Sequence, residues 1–206
     1  GFTKLDLLIK DQMEARILKH PLVTFINQAQ LSYTNADISC CSLGNNVSGF
    51  NKDITIRDVI STYIYPNTLV VKEITGATLL EALEKNAEFF NSIDGKIVVN
   101  DKFKTPKVQL YAYDMYDNID YSINLKNPEG HRISNLLFKG FPIELTKTYT
   151  VAMNNYRASG GGDYLFYKNS KTVNDTQTEI LEILIDYIYR EKELKINHTN
   201  NIKFIY

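Results

Sequence analysis

The chain has 206 residues, of which 44% are hydrophobic and 23% are charged, values that allow an ordinary globular domain with a substantial core. Its 23 basic and 24 acidic residues give a formal charge of −1. A nucleic-acid polymer or an anionic membrane would call for a basic surface, so neither partner is expected. No stretch approaches the ~18 apolar residues of a membrane span, so none is predicted.

The first predicted elements are a helix and a buried strand. The helix follows Pro21, which suits a first helical position, and apolar residues recur after it at helical spacing. The strand covers residues 38–43 and ends at Gly44. Cys40 and Cys41 are adjacent in it, and a bridge between neighbours would be strained. We therefore expect both cysteines to be small core residues.

Two capped helices are predicted on either side of a strand at residues 69–74. Thr55 and Asp58 form a variant of the capping box at the first helix. The second helix begins at Thr78, with Thr75 as the alternative start. The expected apolar stripes are Ile56, Val59, Ile60 and Tyr63 in the first helix and Leu79, Leu83, Ala87 and Phe90 in the second.

The second half of the chain is rich in strand patterns. Strands are predicted at 107–113, 121–125, 132–138 and 148–154, separated by clusters of Asn, Asp, Gly and Pro. A long helix with Thr176 and Glu179 as its capping box follows, and the terminal IKFIY is a candidate strand to close the sheet. This mixture favours an α+β fold with layered sheets over a doubly wound parallel sheet.

Several catalytic chemistries lack their residues in this sequence. His20, His131 and His198 are scattered, without a partner at metal-ligand spacing. There is no G-x-S-x-G nucleophile elbow and no phosphate-binding loop of the G-x-x-x-x-G-K-[ST] type. His131 lies in the loop-like stretch NPEGHRI, which is typical of a solvated turn. We therefore predict no catalytic residue and no metal site in the chain.

Two segments combine tyrosines with hydrogen-bonding groups: YIYPNTL (63–69) and NNYRASGGGDY (154–164). Paired aromatic faces can sandwich a nucleobase, at ~1–3 kcal/mol per stacked base. Amides and backbone N–H groups freed by glycine can read a base edge, and Asp163 is suited to accept hydrogen bonds from a ribose diol. Two alternatives remain open: the glycines are a flexible connector, and the tyrosines are half-buried sheet residues.

The sequence resembles the C-terminal domain of the bacterial 5′-nucleotidase superfamily, and most closely the branch of 2′,3′-cyclic-nucleotide 2′-phosphodiesterase/3′-nucleotidases. The resemblance covers nearly the whole chain. It is carried by INQAQ (26–30), ADIS (36–39), the segment 53–84 with YPNTLVVKEITG, YAYDMYDNIDYSINL (111–125) and YTVAMNNYRASGGGDY (149–164).

The resemblance implies a four-layer α/β/β/α fold in which residues 1–206 form a single nucleoside-binding domain, the C-terminal part of a larger enzyme. Such enzymes carry two divalent metal ions in a separate N-terminal metallophosphatase domain, so no cofactor is expected in this chain. By position, Tyr65 and Tyr156 match the two aromatic residues that stack on the base in this family. Asn67 matches the Asn that follows the first aromatic residue, and Asp163 matches the Asp that contacts the ribose or base.

One loop departs from the 5′-nucleotidase branch. That branch has an N-G-G-x-R-like loop whose Arg reaches phosphate, whereas SLGNNVSGF here has no Arg. The departure favours the cyclic phosphodiesterase branch. Arg157 either binds phosphate or anchors its loop to a carboxylate, and we favour anchoring. The complete predicted substrate-binding set is Tyr65, Asn67, Tyr156, Asp163, Gly44, Asn45, Asn46, Asn155, Gly160, Gly161 and Gly162.

The resemblance also implies an activity and a location for the parent protein. It would hydrolyse 2′,3′-cyclic nucleotides to 3′-nucleotides, and these to nucleoside and phosphate, in an extracellular, periplasmic or cell-wall-attached position. The chain alone is expected to bind a nucleoside or nucleotide and to hydrolyse nothing. The rival readings are a 5′-nucleotidase or nucleotide-sugar hydrolase domain, and a non-catalytic surface interaction module on the same fold.

Overall fold

Helices and strands are mixed along the whole chain in the computed structural model, which describes residues 1–206. The α-helices are α1 (Gln12–Ile17), α2 (Pro21–Thr34), α3 (Ile56–Thr62), α4 (Gly76–Ala87), α5 (Asn155–Ala158), α6 (Leu165–Asn169) and α7 (Ile180–Glu191). The strands are β1 (Phe2–Thr3), β2 (Leu7–Leu8), β3 (Ile38–Ser42), β4 (Gly49–Phe50), β5 (Thr68–Thr75), β6 (Phe90–Ile93), β7 (Lys96–Val99), β8 (Asp114–Asp117), β9 (Ile119–Asn124), β10 (Ile133–Phe138), β11 (Phe141–Pro142), β12 (Thr148–Asn154), β13 (Lys171–Glu179), β14 (Glu193–Leu194) and β15 (Ile202–Ile205). None of the helices combines the length and apolar character needed to cross a membrane.

Two larger sheets, both of mixed direction, organise the fold. The first has five strands in the order β13-β5-β12-β3-β8, in which β12 and β3 are parallel and the other pairs are antiparallel. The second has four strands in the order β11-β10-β9-β15, with β15 parallel to β9. The α+β class with mixed sheets is thus confirmed, whereas the stacking into four layers stays a prediction.

The strand register brings four chain segments to one edge of the five-stranded sheet. Asn154, at the end of β12, pairs with Leu69 at the beginning of β5. Ser42, at the end of β3, pairs with Asp114 at the beginning of β8. Since β12 and β3 run in parallel, their carboxyl ends lie side by side. The loops that precede β5 and β8 and that follow β3 and β12 therefore meet at this edge.

A continuous hydrophobic core lies beneath the helices. Helix α2 packs against β3 and β8 and also against α7, while α4 contacts both β5 and β10. Leu22 and Phe25 of α2 are buried, and so are the adjacent cysteines Cys40 and Cys41, which form no disulfide. The interpretation of the two cysteines as core residues is confirmed.

The capping box predicted for α3 is confirmed, whereas the predicted start of α4 at Thr78 is wrong. Thr55 and Asp58 form the reciprocal box at α3, and α4 begins after Thr75, the alternative start. The predicted apolar stripe of α3 is wrong at Ile56 and Ile60, which are 62% and 51% exposed. The buried face is rotated toward Thr62, whose hydroxyl donates to the Gly49 carbonyl at 3.0 Å.

The end of the second predicted stripe also differs. Phe90 is buried as expected, but it lies in β6 rather than in α4. Its strand pairs with β7 as a hairpin that the sequence patterns did not lead us to predict. The buried contact of Phe90 is therefore made from the strand that follows the helix.

The predicted strand at 107–113 is wrong. The segment contains a 3₁₀ helix at Leu110–Ala112, and β8 begins only at Asp114. Its backbone groups bond to side chains instead of to a neighbouring strand. The Arg16 guanidinium donates to the Leu110 carbonyl at 3.0 Å, and the Asn45 amide donates to the Val108 carbonyl at 2.8 Å.

The predicted capping box at Thr176 and Glu179 is also wrong. Residues Lys171–Glu179 form β13, which pairs with β5, and Glu179 makes no side-chain cap at α7. The Thr176 hydroxyl donates to the Leu69 carbonyl at 2.8 Å and thereby joins the sheet. The predicted strands at 121–125, 132–138 and 148–154 and the terminal strand are present as β9, β10, β12 and β15.

Candidate functional site

A cleft of about 170 Å³ opens at the sheet edge where the four segments meet. We call it the aromatic cleft, and its lining residues are Ser42, Tyr65, Asn67, Tyr111, Asn154, Tyr156 and Arg157. Ser42 and Asn154 end β3 and β12, and Asn67 directly precedes β5. The sheet register described above is therefore what brings these residues together.

Tyr65 forms one wall of the aromatic cleft, in the turn between α3 and β5. Its carbonyl accepts the Asn67 N–H at 2.8 Å, and its side chain remains 39% exposed. A Cβ atom placed on Gly44 would lie 3.4 Å from the Tyr65 ring, so the ring rests against that glycine. The loop that follows β3 is fixed in turn by the Arg16 guanidinium, which donates to the Leu43 and Gly44 carbonyls at 2.7 and 2.8 Å.

Tyr156 forms a second wall, on the short helix α5. The helix begins after Asn154, whose Oδ1 accepts the Arg157 N–H at 2.7 Å. A Cβ atom on Gly161 would come within 2.5–2.6 Å of the Tyr156 ring. Only glycine allows this approach, so the loop backbone supports one face of a ring that is 49% exposed.

The glycine run also needs its conformational freedom. Gly160 and Gly162 adopt φ values of +96° and +70°, and Asp163 follows with +67°. Positive φ at two of the three glycines turns the chain back toward α5, where Gly161 meets the Tyr156 ring. The run is therefore a shaped loop, and the alternative of a flexible connector does not describe it.

Arg157 anchors this loop from inside the protein. Its Nε donates to Asp114 Oδ2 at 2.6 Å, its Nη1 donates to the Gly161 carbonyl at 2.6 Å, and its guanidinium lies 4.0 Å from the Tyr164 ring centroid. Both charged side chains are almost fully buried. Burial raises the pKa of the Asp114 carboxyl, and the positive charge of Arg157 opposes that shift. The contacts agree with the anchoring that the sequence favoured.

A second cavity, of about 310 Å³, adjoins the aromatic cleft, and we call it the lateral cavity. It shares Tyr111, Tyr156 and Arg157 with the cleft. Asp163 lies in the lateral cavity and does not line the cleft. The other residues of its lining are Lys85, Asn86, Glu88, Lys102, Phe103, Gln109, Ala112, Gly162 and Tyr164.

The structure separates the predicted asparagines by role. Asn67 lines the aromatic cleft, whereas Asn46 and Asn155 are exposed and line neither cavity. The Asn45 amide is engaged within the chain: Nδ2 donates to the Val108 carbonyl at 2.8 Å, and Oδ1 accepts the Tyr111 N–H at 3.4 Å.

Four lining residues were absent from the predicted set: Ser42, Tyr111, Asn154 and Arg157, the last of which was favoured as the anchor of its loop. Asn154 stands beside the predicted Asn155 in the sequence, and the start of a helix there would have identified it as the cap. Ser42 lies within the strand predicted at 38–43 and is the last residue of β3. Tyr111 gave no signal, because its segment was assigned to a strand.

The arrangement provides binding groups rather than reactive ones. Half-exposed aromatic rings offer stacking surfaces, and Asn154 and Ser42 are polar residues in the lining of the cleft. Among residues 1–206, no group of three or more His, Cys, Asp or Glu side chains is placed to hold a metal ion. Such a site suits a flat heteroaromatic ligand with hydrogen-bonding edges.

Comparison with known proteins identifies the family. Residues 2–169 match the family described as "5′-nucleotidase, C-terminal domain", and the chain belongs to it. The trifunctional nucleotide phosphoesterase protein YfkN of Bacillus subtilis is 30% identical over 166 residues, which are 72% of this chain and 11% of that protein. The 2′,3′-cyclic-nucleotide 2′-phosphodiesterase/3′-nucleotidase of Haemophilus influenzae is 30% identical over 219 residues, covering 86% of this chain and 32% of that protein.

A solved structure gives a similar picture. The putative 5′-nucleotidase of Staphylococcus aureus, in complex with alpha-ketoglutarate, superimposes with a TM-score of 0.95 at 37% identity. The match covers 100% of this chain and 40% of that one. The chain thus spans between a tenth and two fifths of the lengths of these relatives.

Proposed function

We propose that this chain holds the nucleoside part of a nucleotide between Tyr65 and Tyr156, as the binding domain of a phosphoesterase acting on 2′,3′-cyclic nucleotides and 3′-nucleotides. The observation that carries the proposal is the pairing of two half-exposed tyrosines in one cleft, each supported by a glycine. The names of the relatives from Bacillus subtilis and Haemophilus influenzae support the same substrate class.

Each polar residue of the site has a place in this proposal. Oδ1 of Asn154 is used by the Arg157 N–H, which leaves the Asn154 NH₂ to donate to an acceptor on the base edge. Asn67 and the Ser42 hydroxyl line the same cleft. Asp163, in the lateral cavity, accepts the hydroxyl groups of the ribose. Residues 1–206 then act as one nucleoside-binding domain.

The chemical step belongs to a separate domain of the parent protein. We propose an N-terminal metallophosphatase domain with two divalent metal ions, which would activate water for attack on phosphorus. This chain contributes orientation, because a bound nucleoside places its phosphate at a fixed position. By kinship with such enzymes, we propose an extracellular, periplasmic or cell-wall-attached location.

A 5′-nucleotidase is the second candidate function. It is favoured by the Staphylococcus aureus relative, a putative 5′-nucleotidase whose structure matches this chain along its whole length. Against it stands the loop at Gly44, Asn45 and Asn46, which has no Arg to reach a 5′-phosphate. Turnover of 2′,3′-cyclic AMP, 3′-AMP and 5′-AMP by the intact parent protein decides between the two: the first candidate requires the first two substrates to be preferred.

A titration of the chain with adenosine and 3′-AMP tests the binding role. We expect saturable binding with a Kd in the millimolar range, about −4 kcal/mol. The double variant Tyr65→Ala/Tyr156→Ala should lose binding and remain folded by circular dichroism, because both side chains are half exposed. Tyr189→Ala is the matched control, since Tyr189 is 84% exposed and lies in neither cavity. Absence of binding at tens of millimolar, or undiminished binding by the double variant, would refute the proposal.

A further inference from the structure

The aromatic cleft is small for a ligand site, and it adjoins the larger lateral cavity. Pockets for small molecules typically occupy roughly 300–1,000 Å³. The aromatic cleft, at about 170 Å³, falls below that range, and the lateral cavity, at about 310 Å³, lies within it. The lateral cavity therefore offers the additional space that a ligand of nucleoside size stacked in the cleft would need.

Any ligand that spans both cavities passes the three residues that they share. Arg157 is occupied, because its guanidinium is bound to Asp114, Ala112 and Gly161. Tyr156 presents the stacking surface. The third shared residue is Tyr111, whose side chain is half-buried and whose hydroxyl lies 3.5 Å from Gln109 Oε1. This hydrogen bond is long, so the hydroxyl can exchange it for a shorter one to a ligand.

We propose that Tyr111 is a specificity-determining residue. It contacts the ribose of a nucleoside where the ligand passes from the aromatic cleft into the lateral cavity. Through this contact the chain distinguishes a nucleoside from a free base. The inference rests on the nucleoside-binding function proposed above and adds a third aromatic wall to the Tyr65–Tyr156 pair.

Asn45 is the positioning residue for this wall. Its amide donates to the Val108 carbonyl at 2.8 Å and accepts the Tyr111 N–H at 3.4 Å. The same residue follows Gly44, against which the Tyr65 ring rests. Asn45 therefore links the Tyr65 wall to the Tyr111 segment. The isosteric change Asn45→Asp keeps the acceptor for Tyr111 and removes the donor to Val108.

The test is a pair of titrations, with adenine and with adenosine, on the wild-type chain, Tyr111→Phe, Tyr111→Ala and Asn45→Asp. Tyr111→Ala should weaken adenosine binding by about 2- to 10-fold, the change that corresponds to loss of one aromatic contact. Adenine affinity should stay within ~2-fold, because the Tyr65–Tyr156 stack is retained. Tyr111→Phe should keep most of the adenosine preference, and Asn45→Asp should reduce it.

The ratio of adenosine to adenine affinity separates the possible outcomes. An equal loss for both ligands in Tyr111→Ala would mean that Tyr111 only supports the cleft wall, and would overturn the inference. An unchanged ratio with unchanged affinities would overturn it as well. Failure of the wild-type chain to bind either ligand would refute the proposed function itself, together with the inference. Circular dichroism on each variant confirms that the compared chains are folded.

Discussion

At the scale of single residues, the candidate site depends on the buried ion pair between Arg157 and Asp114. Arg157 joins its own glycine loop to the segment 112–114, because it binds the Gly161 carbonyl on one side and the Asp114 carboxylate and the Ala112 carbonyl on the other. The Gly161 backbone in turn supports the Tyr156 ring. A ring held in this manner is preorganised, so less conformational entropy is lost when a ligand stacks on it.

Replacement of Arg157 by Ala should be strongly destabilising. The change leaves the Asp114 carboxylate buried without its partner, which typically costs about 3–5 kcal/mol in the free energy of unfolding. Arg190→Ala is the control, since Arg190 pairs on the surface with Glu191 and should lose about 1 kcal/mol or less. Urea denaturation measures both, and equal losses in the two variants would contradict the anchoring role.

The Arg157→Ala variant should also show a changed dependence on pH. Burial already raises the pKa of Asp114, and loss of the neighbouring positive charge raises it further. The folded state then holds a proton that the unfolded chain releases near pH 4, so stability falls as the pH rises through the folded-state pKa. We expect the deficit relative to wild type to be smaller at pH 5 than at pH 8 in urea denaturation.

Gly161→Ala tests the support of the Tyr156 ring. The backbone of Gly161 is not in the left-handed region, and the nearest atoms to an added methyl group are those of the Tyr156 ring, at 2.5–2.6 Å. The ring must move, and adenosine affinity should fall by at least ~3-fold while the free energy of unfolding changes by about 1–3 kcal/mol. Adenosine titrations measure the change. Equal adenosine affinities for Gly161→Ala and wild type would show that binding does not depend on the position of the Tyr156 ring.

Side-chain chemistry made part of the site predictable. Tyr65, Asn67 and Tyr156 were selected from the sequence, and the structure brings all three into the aromatic cleft. Tyr111 could not be selected, because its inclusion depends on a contact with Asn45, 66 residues away in sequence. Local pattern carries no information about such a contact.

At the scale of elements, the start of α2 depends on an uncharged histidine. His20 precedes Pro21 and caps the helix, with its Nδ1 accepting the Leu22 N–H at 3.2 Å. Only an unprotonated Nδ1 can accept that bond. Partial burial lowers the pKa of His20, and the neighbouring His198 lowers it further while Asp6 raises it.

The fold should therefore lose stability in mild acid. Because the pKa of His20 in the folded state lies below that of the unfolded chain, near 6.5, the unfolded chain binds more protons between the two values. The free energy of unfolding should fall as the pH is lowered through this window. His20→Asn keeps a cap acceptor and should flatten this dependence, with the remainder due to His198, whose pKa burial also lowers.

Thermal unfolding between pH 7 and pH 5 measures the effect. The exposed His131, in a turn, provides the control variant His131→Asn. If the melting temperature falls equally with pH in wild type and His20→Asn, the link between the cap and acid stability is contradicted.

Elements with a local signal were predictable, and elements defined by distant partners were not. The Thr55–Asp58 box and the alternating strands β9, β10 and β12 follow from short-range pattern. Strand β13 is mostly polar and exposed, and it exists because β5 offers it a free edge. The hairpin of β6 and β7 did carry a local signal, Asp94-Gly95 with positive φ at both positions, which went unused.

At the scale of the whole molecule, a buried lysine ties the terminal segment to the rest. Lys19, fully buried after α1, donates to Asp117 at 2.5 Å and to Asn201 at 2.6 Å. Asn201 directly precedes β15, the strand that completes the four-stranded sheet. The two larger sheets are therefore connected through one polar cluster, which lies at the end of β8 opposite the aromatic cleft.

The α+β class could be predicted from the mixture of patterns, but the sheet order could not. The parallel pairing of β15 with β9, and of β12 with β3, joins segments that lie far apart in the chain. Those pairings depend on which hydrophobic faces are buried together, and a single sequence does not reveal them. The aromatic cleft depends on the pairing of β12 with β3, which places the carboxyl ends of these two strands side by side at one edge of the five-stranded sheet.

The central claim, that a nucleoside lies between Tyr65 and Tyr156, is tested most directly by intermolecular NOE measurements on the chain with adenosine. Millimolar affinity gives the fast exchange that such spectra require. We predict NOEs from the adenine H2 and H8 protons to the ring protons of both tyrosines, assigned through the single variants Tyr65→Phe and Tyr156→Phe. NOEs to neither ring, with adenosine demonstrably bound, would contradict the account and place the ligand elsewhere on the molecule.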